Sequence, residues 1–215
     1  MEITYLGHAS FKIKGKKAAL VTDPFNPKNV GLKFSGVVAD IVTISHGHGD
    51  HNASELVKET QMVIEGPGEY EIKEVTILGL STFHDDKKGA ERGSNTIYVI
   101  EMEEMRLAHL GDLGHKLDEN ILNSIGEIDV LMIPIGGFYT IDSSAAVEIT
   151  REIEPSIVIP MHYNQPGLNQ EAFGKLENVD SFLKELGLVV EKLDKLSAKK
   201  SDLQEEQKVV VLSIK

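Results

Sequence analysis

Between residues 44 and 51 the chain reads Ile44, Ser45, His46, Gly47, His48, Gly49, Asp50, His51, directly after the apolar run that begins at Ile41. Three histidines and an aspartate within six positions form a dense set of metal ligands. The glycines decide how that set folds. On a helix, two ligating histidines share a face when they stand four apart. His46 and His48 stand two apart with glycine between them, which suits a strand end running into a tight loop. Gly47 and Gly49 can take backbone angles closed to other residues, so the loop can curl and aim successive imidazoles at one point. Asp50 and His51 are adjacent and aim at different points. The prediction is two metals side by side, one on His46 and His48, the other on Asp50 and His51. A glycine-rich loop with solvated histidines would explain any one of these residues, but not the whole cluster at the end of a strand.

A two-metal site needs more ligands, and the composition narrows the donors. There is no cysteine, so imidazole and carboxylate are the only strong ligands available, and disulfides are excluded. Three candidates follow apolar strands: His84 after Val75 to Leu80, Asp112 in His109-Leu110-Gly111-Asp112, and His162 in Ile159-Pro160-Met161-His162. Ligands at successive strand ends converge on one edge of a sheet. Alone, each is more readily a packed or solvated side chain. Asp23, at a strand end before Pro24, is expected either behind the ligands, accepting an imidazole N–H, or simply in a turn.

Length and patterning set the frame. The 215 residues are expected to form one domain, with a hydrophobic fraction of 41% and no apolar run long enough to span a bilayer. The chain opens on the strand-like Glu2 to Leu6 without a basic, apolar leader, so a cytoplasmic location is expected. Strands are predicted first: Ile3 and Tyr5, Phe11 to Ile13, Ala18 to Val21, Ile41 to Ile44 and Met62 to Ile64. Further strands are expected at Glu71-Ile72, Val75 to Leu80, Asn95 to Glu101, Arg106 to Leu110, Val130 to Ile133, Ile157 to Ile159, Leu188 to Val190 and Val209 to Leu212. Helices are predicted at Asp118 to Ser124, Asp142 to Glu152 and Val179 to Leu186, and a short one starting at Asn52 to Glu55. Asn26 to Ala39 and Asp85 to Gly93 read as loops, and Lys192 to Lys208 as a solvated, charged excursion. Runs of strands, then strands alternating with helices, predict an α/β (α+β) fold of two mixed β-sheets packed together with helices outside.

His-x-His-x-Asp-His after a hydrophobic strand resembles the signature of the metallo-β-lactamase-fold superfamily, and the later His84, Gly111-Asp112 and His162 follow in that superfamily's order. The resemblance implies a four-layer αββα sandwich with the metal site at one edge of the sheets. It also implies the ligand set: His46, His48 and His84 on one metal, Asp50, His51 and His162 on the other, and Asp112 bridging. Leu6-Gly7-His8-Ala9-Ser10-Phe11 is similar to the opening of the branch that includes ascorbate-6-phosphate lactonases and N-acyl-phosphatidylethanolamine phospholipases D. Closer still are small bacterial and archaeal hydrolases sharing His84-Asp85, Arg92-Gly93 with Asn95, Gly111-Asp112-Leu113-Gly114-His115, and Gly136-Gly137 with Tyr139-Thr140.

The expected activity is that of a hydrolase in which a hydroxide shared by two metals attacks an ester, lactone or phosphodiester of a small substrate. Asp112, Asp50 and His115 are the expected catalytic groups, His115 as a proton shuttle or substrate contact. His8 and His109 stay open between a role behind the ligands and plain structure. Zinc is the expected metal, with manganese, nickel or iron allowed by the same donors. A net charge of −12 disfavours nucleic acid and anionic membranes as partners, whereas a metal pair would reverse the sign locally and allow a small anionic substrate. Homo-oligomerisation is left open. Three alternatives remain: a di-iron oxidoreductase on the same fold, a nucleic-acid phosphodiesterase, and a non-catalytic metal binder.

Overall fold

The computed structural model describes residues 1–203 and 206–215. The chain runs β1 (Glu2–Gly7), β2 (Ser10–Lys14), β3 (Ala19–Thr22), α1 (Pro27–Val30), β4 (Ile41–Ile44), β5 (Met62–Glu65), β6 (Gly68–Ile72), β7 (Val75–Phe83), β8 (Ser94–Met102) and β9 (Met105–His109). It continues through α2 (Glu119–Ile125), β10 (Val130–Pro134), α3 (Ser143–Ile153), β11 (Ile157–Met161), α4 (Gln170–Phe173), α5 (Val179–Leu186), β12 (Val189–Leu193), β13 (Leu196–Ser197) and β14 (Lys208–Leu212). One sheet has the order β13-β1-β2-β3-β4-β5 and the other β12-β14-β11-β10-β9-β8-β7-β6. Both are mixed. In the first, β3, β4 and β5 pair in parallel; in the second, β9, β10, β11, β14 and β12 do.

Side-chain alternation sorts the core into three seams. Ile3, Tyr5, Phe11 and Ile13 of the first sheet meet Ile77, Tyr98, Ile100, Met132 and Ile159 of the second in a shared interior. On the same strands the intervening residues point the other way. Val99, Leu131 and Val158 pack with Ala146, Ile149 and Phe182 of α3 and α5. Val21 and Val42 pack with Phe25, Phe34, Val37 and Phe173. The central strands are therefore buried on both faces, which is why they read as unbroken apolar runs. The outcome is the four-layer arrangement of two mixed sheets with helices outside.

The helices begin and end as the sequence indicates. Asp118 accepts from Ile121 N and Asp142 from Ala145 N, both at N-caps, and Gly187 closes α5 in the left-handed region at φ 72°.

Three expectations need correction. No regular helix follows the metal loop: Ser54–Leu56 make one 3-10 turn without a side-chain cap, and Asn52 donates instead to Gly47 O at 2.9 Å. The stretch Asn26 to Ala39 contains α1 and buries Val30, Leu32, Phe34 and Val37. Lys192 to Lys208 is not wholly solvated, because Leu196 and Ala198 are buried and β13 extends the first sheet through the pairs Glu2–Ser197 and Ile3–Leu196. Residues 204 and 205 of that stretch lie outside the described residues. Among the described residues no helix is long and apolar enough to cross a membrane.

Candidate metal centre

The loop after β4 carries His46, His48, Asp50 and His51, and it is fastened to the segment after β3. Asn26 N donates to Gly49 O at 3.3 Å and Ala53 N to Pro24 O at 2.7 Å, while His51 N closes the turn on His48 O at 2.9 Å. From the second sheet come His84 just after β7, Asp112 after β9 and His162 after β11. The cluster thus sits where strand ends of both sheets meet. All seven expected ligands are brought together.

Three overlapping groups have ligand atoms within 4.8 Å of one another: His46, His48 and His84; His8, Asp50, His51 and His162; and His46, His51 and Asp112. Asp112 stands between the first two. Its Oδ2 lies 3.2 Å from His84 Nε2, 3.3 Å from the Nε2 atoms of His51 and His162, and 3.9 Å from His46 Nε2.

His8 is the member that sequence reasoning left undecided. Its Nε2 lies 3.1 Å from Asp50 Oδ2, and its ring centre lies 4.2 Å from that of His162 with the planes tilted by 45°. The signal for it was faint: a single histidine between two short strands, 42 residues from its partner.

Behind the ligands Asp23 is fully buried and accepts three hydrogen bonds. Ser45 N and Ser45 Oγ donate at 2.8 and 2.6 Å, and His51 Nδ1 lies 2.9 Å away. Ser45 Oγ also lies 3.0 Å from His46 Nδ1, so one carboxylate orients two imidazoles. Asn95 does the same for Asp112, accepting from Asp112 N at 2.9 Å while its amide donates to Thr82 Oγ1 and Leu110 O.

The backbone here is held in unusual conformations. His8, Asp23 and His162 have positive φ of 57°, 38° and 52°, which costs of order 1–3 kcal/mol each in non-glycine residues and is tolerated where surrounding contacts fix the geometry. Gly136 allows a close approach, since a Cβ there would sit 2.2 Å from His162 O.

The electrostatics suit a cation. Asp23, Asp50 and Asp112 all lie against the buried His51 imidazole. Burial alone would lower the His51 pKa, yet Asp112 and Asp50 hold it well above the ordinary value. Burial would raise Asp112, but His162 and His51 keep it well below the carboxylate range. Burial likewise opposes ionisation of Asp50, and His51 and His8 overcome it. Burial and the neighbouring His51 push His46 down to about 3, and burial and His162 push His8 down to about 4. Neutral imidazole is the ligating form.

Several buried polar atoms also lack a hydrogen-bond partner, among them His46 Nε2, His51 Nε2, His162 Nε2 and Asp112 Oδ1. Buried polar atoms are normally satisfied, and here they face one another around carboxylate charge. The donor set, all imidazole and carboxylate, fits divalent cations.

Two other histidines are accounted for by backbone. His109 Nε2 donates to Ala9 O at 2.8 Å and its Nδ1 accepts from Gly111 N. His115 Nδ1 donates to Lys116 O at 2.7 Å and its Nε2 accepts from Phe83 N at 3.1 Å. Both of its ring nitrogens are engaged, and His115 does not line the cavity over the cluster, so the proton-shuttle expectation finds no geometric support. Tyr139 donates its hydroxyl to Ala172 O, and Asp142 caps α3.

The cavity itself has a volume of about 450 Å³ and opens over His48, Asp50, His84 and Asp112. Arg92 and Tyr139 stand on its wall with Phe173, and sequence reasoning did not assign Arg92 to the site.

A family model described as a β-lactamase superfamily domain matches residues 2–162. The chain belongs to that superfamily. Within it, the chain is 30% identical to a UPF0173 metal-dependent hydrolase of Methanopyrus kandleri, covering 89% of this chain and 95% of the relative. A UPF0173 metal-dependent hydrolase of Thermococcus onnurineus is 32% identical, over 76% of this chain and 85% of its own. Among solved structures, a proposed Zn-dependent hydrolase of the metallo-β-lactamase superfamily from Thermotoga maritima superposes with a TM-score of 0.82. It is 39% identical and covers 98% of this chain and 97% of its own. Family membership and ligand geometry agree: these relatives are named metal-dependent hydrolases, and the chain carries a cluster that fits metal.

Proposed function

We propose that the protein is a dinuclear metal-dependent hydrolase acting on an ester, lactone or phosphodiester of a small substrate. His46, His48 and His84 would hold one cation, Asp50, His51 and His162 the other, and Asp112 both. The observation that carries this reading is the position of Asp112 Oδ2, within 3.9 Å of four imidazole Nε2 atoms drawn from both groups. Zinc suits these donors best, and manganese, nickel or iron would accept the same set. When bound, two such cations lower the pKa of a water, polarise the attacked oxygen and take up charge on the leaving group.

The chain's own groups do the rest. Asp112, buried and fixed from behind by Asn95, orients the nucleophile through its carboxylate. Asp50 faces the cavity and lies 3.1 Å from His8 Nε2, so a proton arriving on its Oδ2 has a neighbouring imidazole to share it. Asp23 and Ser45 keep His51 and His46 in the tautomers that leave Nε2 free for ligation. The apolar edge of Phe173 excludes water from one wall.

Metal analysis of untagged protein, followed by turnover of bis(p-nitrophenyl) phosphate and simple lactones, tests the proposal. About two equivalents of metal per chain and turnover abolished in folded Asp112→Ala are expected. A folded protein that takes up no metal, or turnover that survives that substitution, would overturn it.

A further inference from the structure

Among the described residues, Arg92 is the one lysine or arginine on the wall of the cavity that opens over the metal cluster. The chain has 34 acidic residues, yet among the described residues the Arg92 guanidinium makes no salt bridge to a carboxylate. Arg106, by contrast, pairs with Glu101. The Arg92 guanidinium is held by neutral groups: Nη1 donates to Tyr139 O at 3.4 Å, Nη2 to Phe138 O at 3.2 Å, and the charge sits 4.8 Å from the centre of the Tyr139 ring. A guanidinium has about five N–H donors, so these two bonds leave roughly three free.

The loop that carries Arg92 does not need the guanidinium to hold it. Asp85 is buried, and its carboxylate accepts from the backbone N–H groups of Lys87, Gly89, Glu91 and Arg92 at 2.7–3.0 Å. That knot fixes the loop at its base, and His84 N bonds Gly93 O across it at 3.0 Å. The result is a pre-positioned fork with its charge uncompensated, half-buried beside Tyr139 and facing the same cavity as Asp50 and Asp112. Such forks bind carboxylate and phosphate oxygens in pairs.

We infer that Arg92 is the specificity-determining residue of this site, and that the substrate carries an anionic group, carboxylate or phosphate, apart from the bond that is cleaved. The metal cluster engages the scissile group, and Arg92 engages the remote anion across the cavity. This rests on the hydrolase reading above and narrows it to small anionic esters and lactones.

Calorimetric titration of zinc-loaded protein tests the inference without relying on turnover. The probes are α,ω-dicarboxylates from malonate to adipate, the monocarboxylates of matching length, and ω-phosphonocarboxylates that distinguish a phosphate-bearing substrate from a carboxylate-bearing one. In the wild type, one chain length in either series should bind at least tenfold more tightly than its monocarboxylate. Arg92→Gln should abolish that advantage while leaving zinc content and circular dichroism unchanged. Arg92→Lys, which keeps the charge and loses the fork, should retain part of it. A wild type without preference for a second anion, or a preference that survives Arg92→Gln, would overturn the assignment. Zinc content is read separately: a chain that binds no zinc sinks the hydrolase reading and this inference together, whereas a zinc-loaded chain without the preference sinks the Arg92 assignment alone.

Discussion

Asp23 offers the sharpest test of how the centre is built, because it is fully buried and touches no substrate. Its Oδ2 receives Ser45 Oγ at 2.6 Å and lies 2.9 Å from His51 Nδ1, while Oδ1 takes Ser45 N at 2.8 Å. In Asp23→Asn the remaining carbonyl oxygen can keep the Ser45 N bond, but an NH2 group replaces the acceptor that faces His51. The imidazole then loses its Nδ1–H partner and is driven to the other tautomer, with the proton on the nitrogen meant for metal. Losses of this kind weaken metal binding by roughly 10- to 100-fold, or about 1.4–2.8 kcal/mol. Because bound zinc stabilises the fold by mass action, the same amount disappears from the zinc-induced stabilisation at fixed excess metal. For a chain of this size each kcal/mol moves Tm by roughly 2–4 °C, so the zinc-induced rise in Tm should shrink by about 3–11 °C. The assay is a thermal melt of each variant with and without zinc, referenced to its own metal-free Tm so that hydrogen bonds lost within the fold cancel. Competition with a chromophoric chelator gives the affinity independently. A wild-type zinc affinity and an undiminished rise in Tm would refute the argument that Asp23 sets the His51 tautomer.

Two further outcomes follow from the same geometry. His51 is held protonated by Asp112 and Asp50 in the metal-free protein, and a ligand must be neutral, so zinc uptake at pH 7 should release about one proton from it. The enthalpy of binding should therefore vary with the buffer's ionisation enthalpy, and a buffer-independent enthalpy would contradict the assignment. The sign for stability is opposite to that of a depressed histidine: His51 favours the metal-free fold below its unfolded pKa of about 6.5, and the contribution is lost as pH rises through the folded value. Gly114→Ala should displace a ligand without replacing one, because a Cβ there would lie 2.3 Å from Asp85 N and from the carbonyl carbon of His84. One metal equivalent should be lost on dialysis, and full retention of both would show that the His84 backbone is free to move.

Much of the centre was legible because its donors are uncommon residues placed where apolar runs stop. His84, Asp112 and His162 could be picked out that way, and their order matched a known pattern. His8 could not, since one histidine between short strands carries no spacing signal, and only folding brings it to Asp50. Arg92 stood out only as part of the shared Arg92-Gly93 stretch, because in a loop rich in charge one guanidinium looks solvated until the cavity is seen. The long strands announced themselves through two-sided burial. The four-residue helices α1 and α4 are too short to show a helical period, and Asn52 mimicked a cap while serving the metal loop. β13 escaped notice because Leu193, Leu196, Ala198 and Leu203 are scattered without a regular period through an otherwise polar, charged stretch.

The donors are split between two layers: His46, His48, Asp50 and His51 extend from β4, and His84, Asp112 and His162 from β7, β9 and β11. A cation seated among them would therefore be a clasp as well as a reagent, riveting one sheet to the other at the open end of the sandwich. Removing it would loosen the seam from that end first, so amide protection along the tips of β4 and β11 should fade on chelation well before the edge strands β13 and β12 respond.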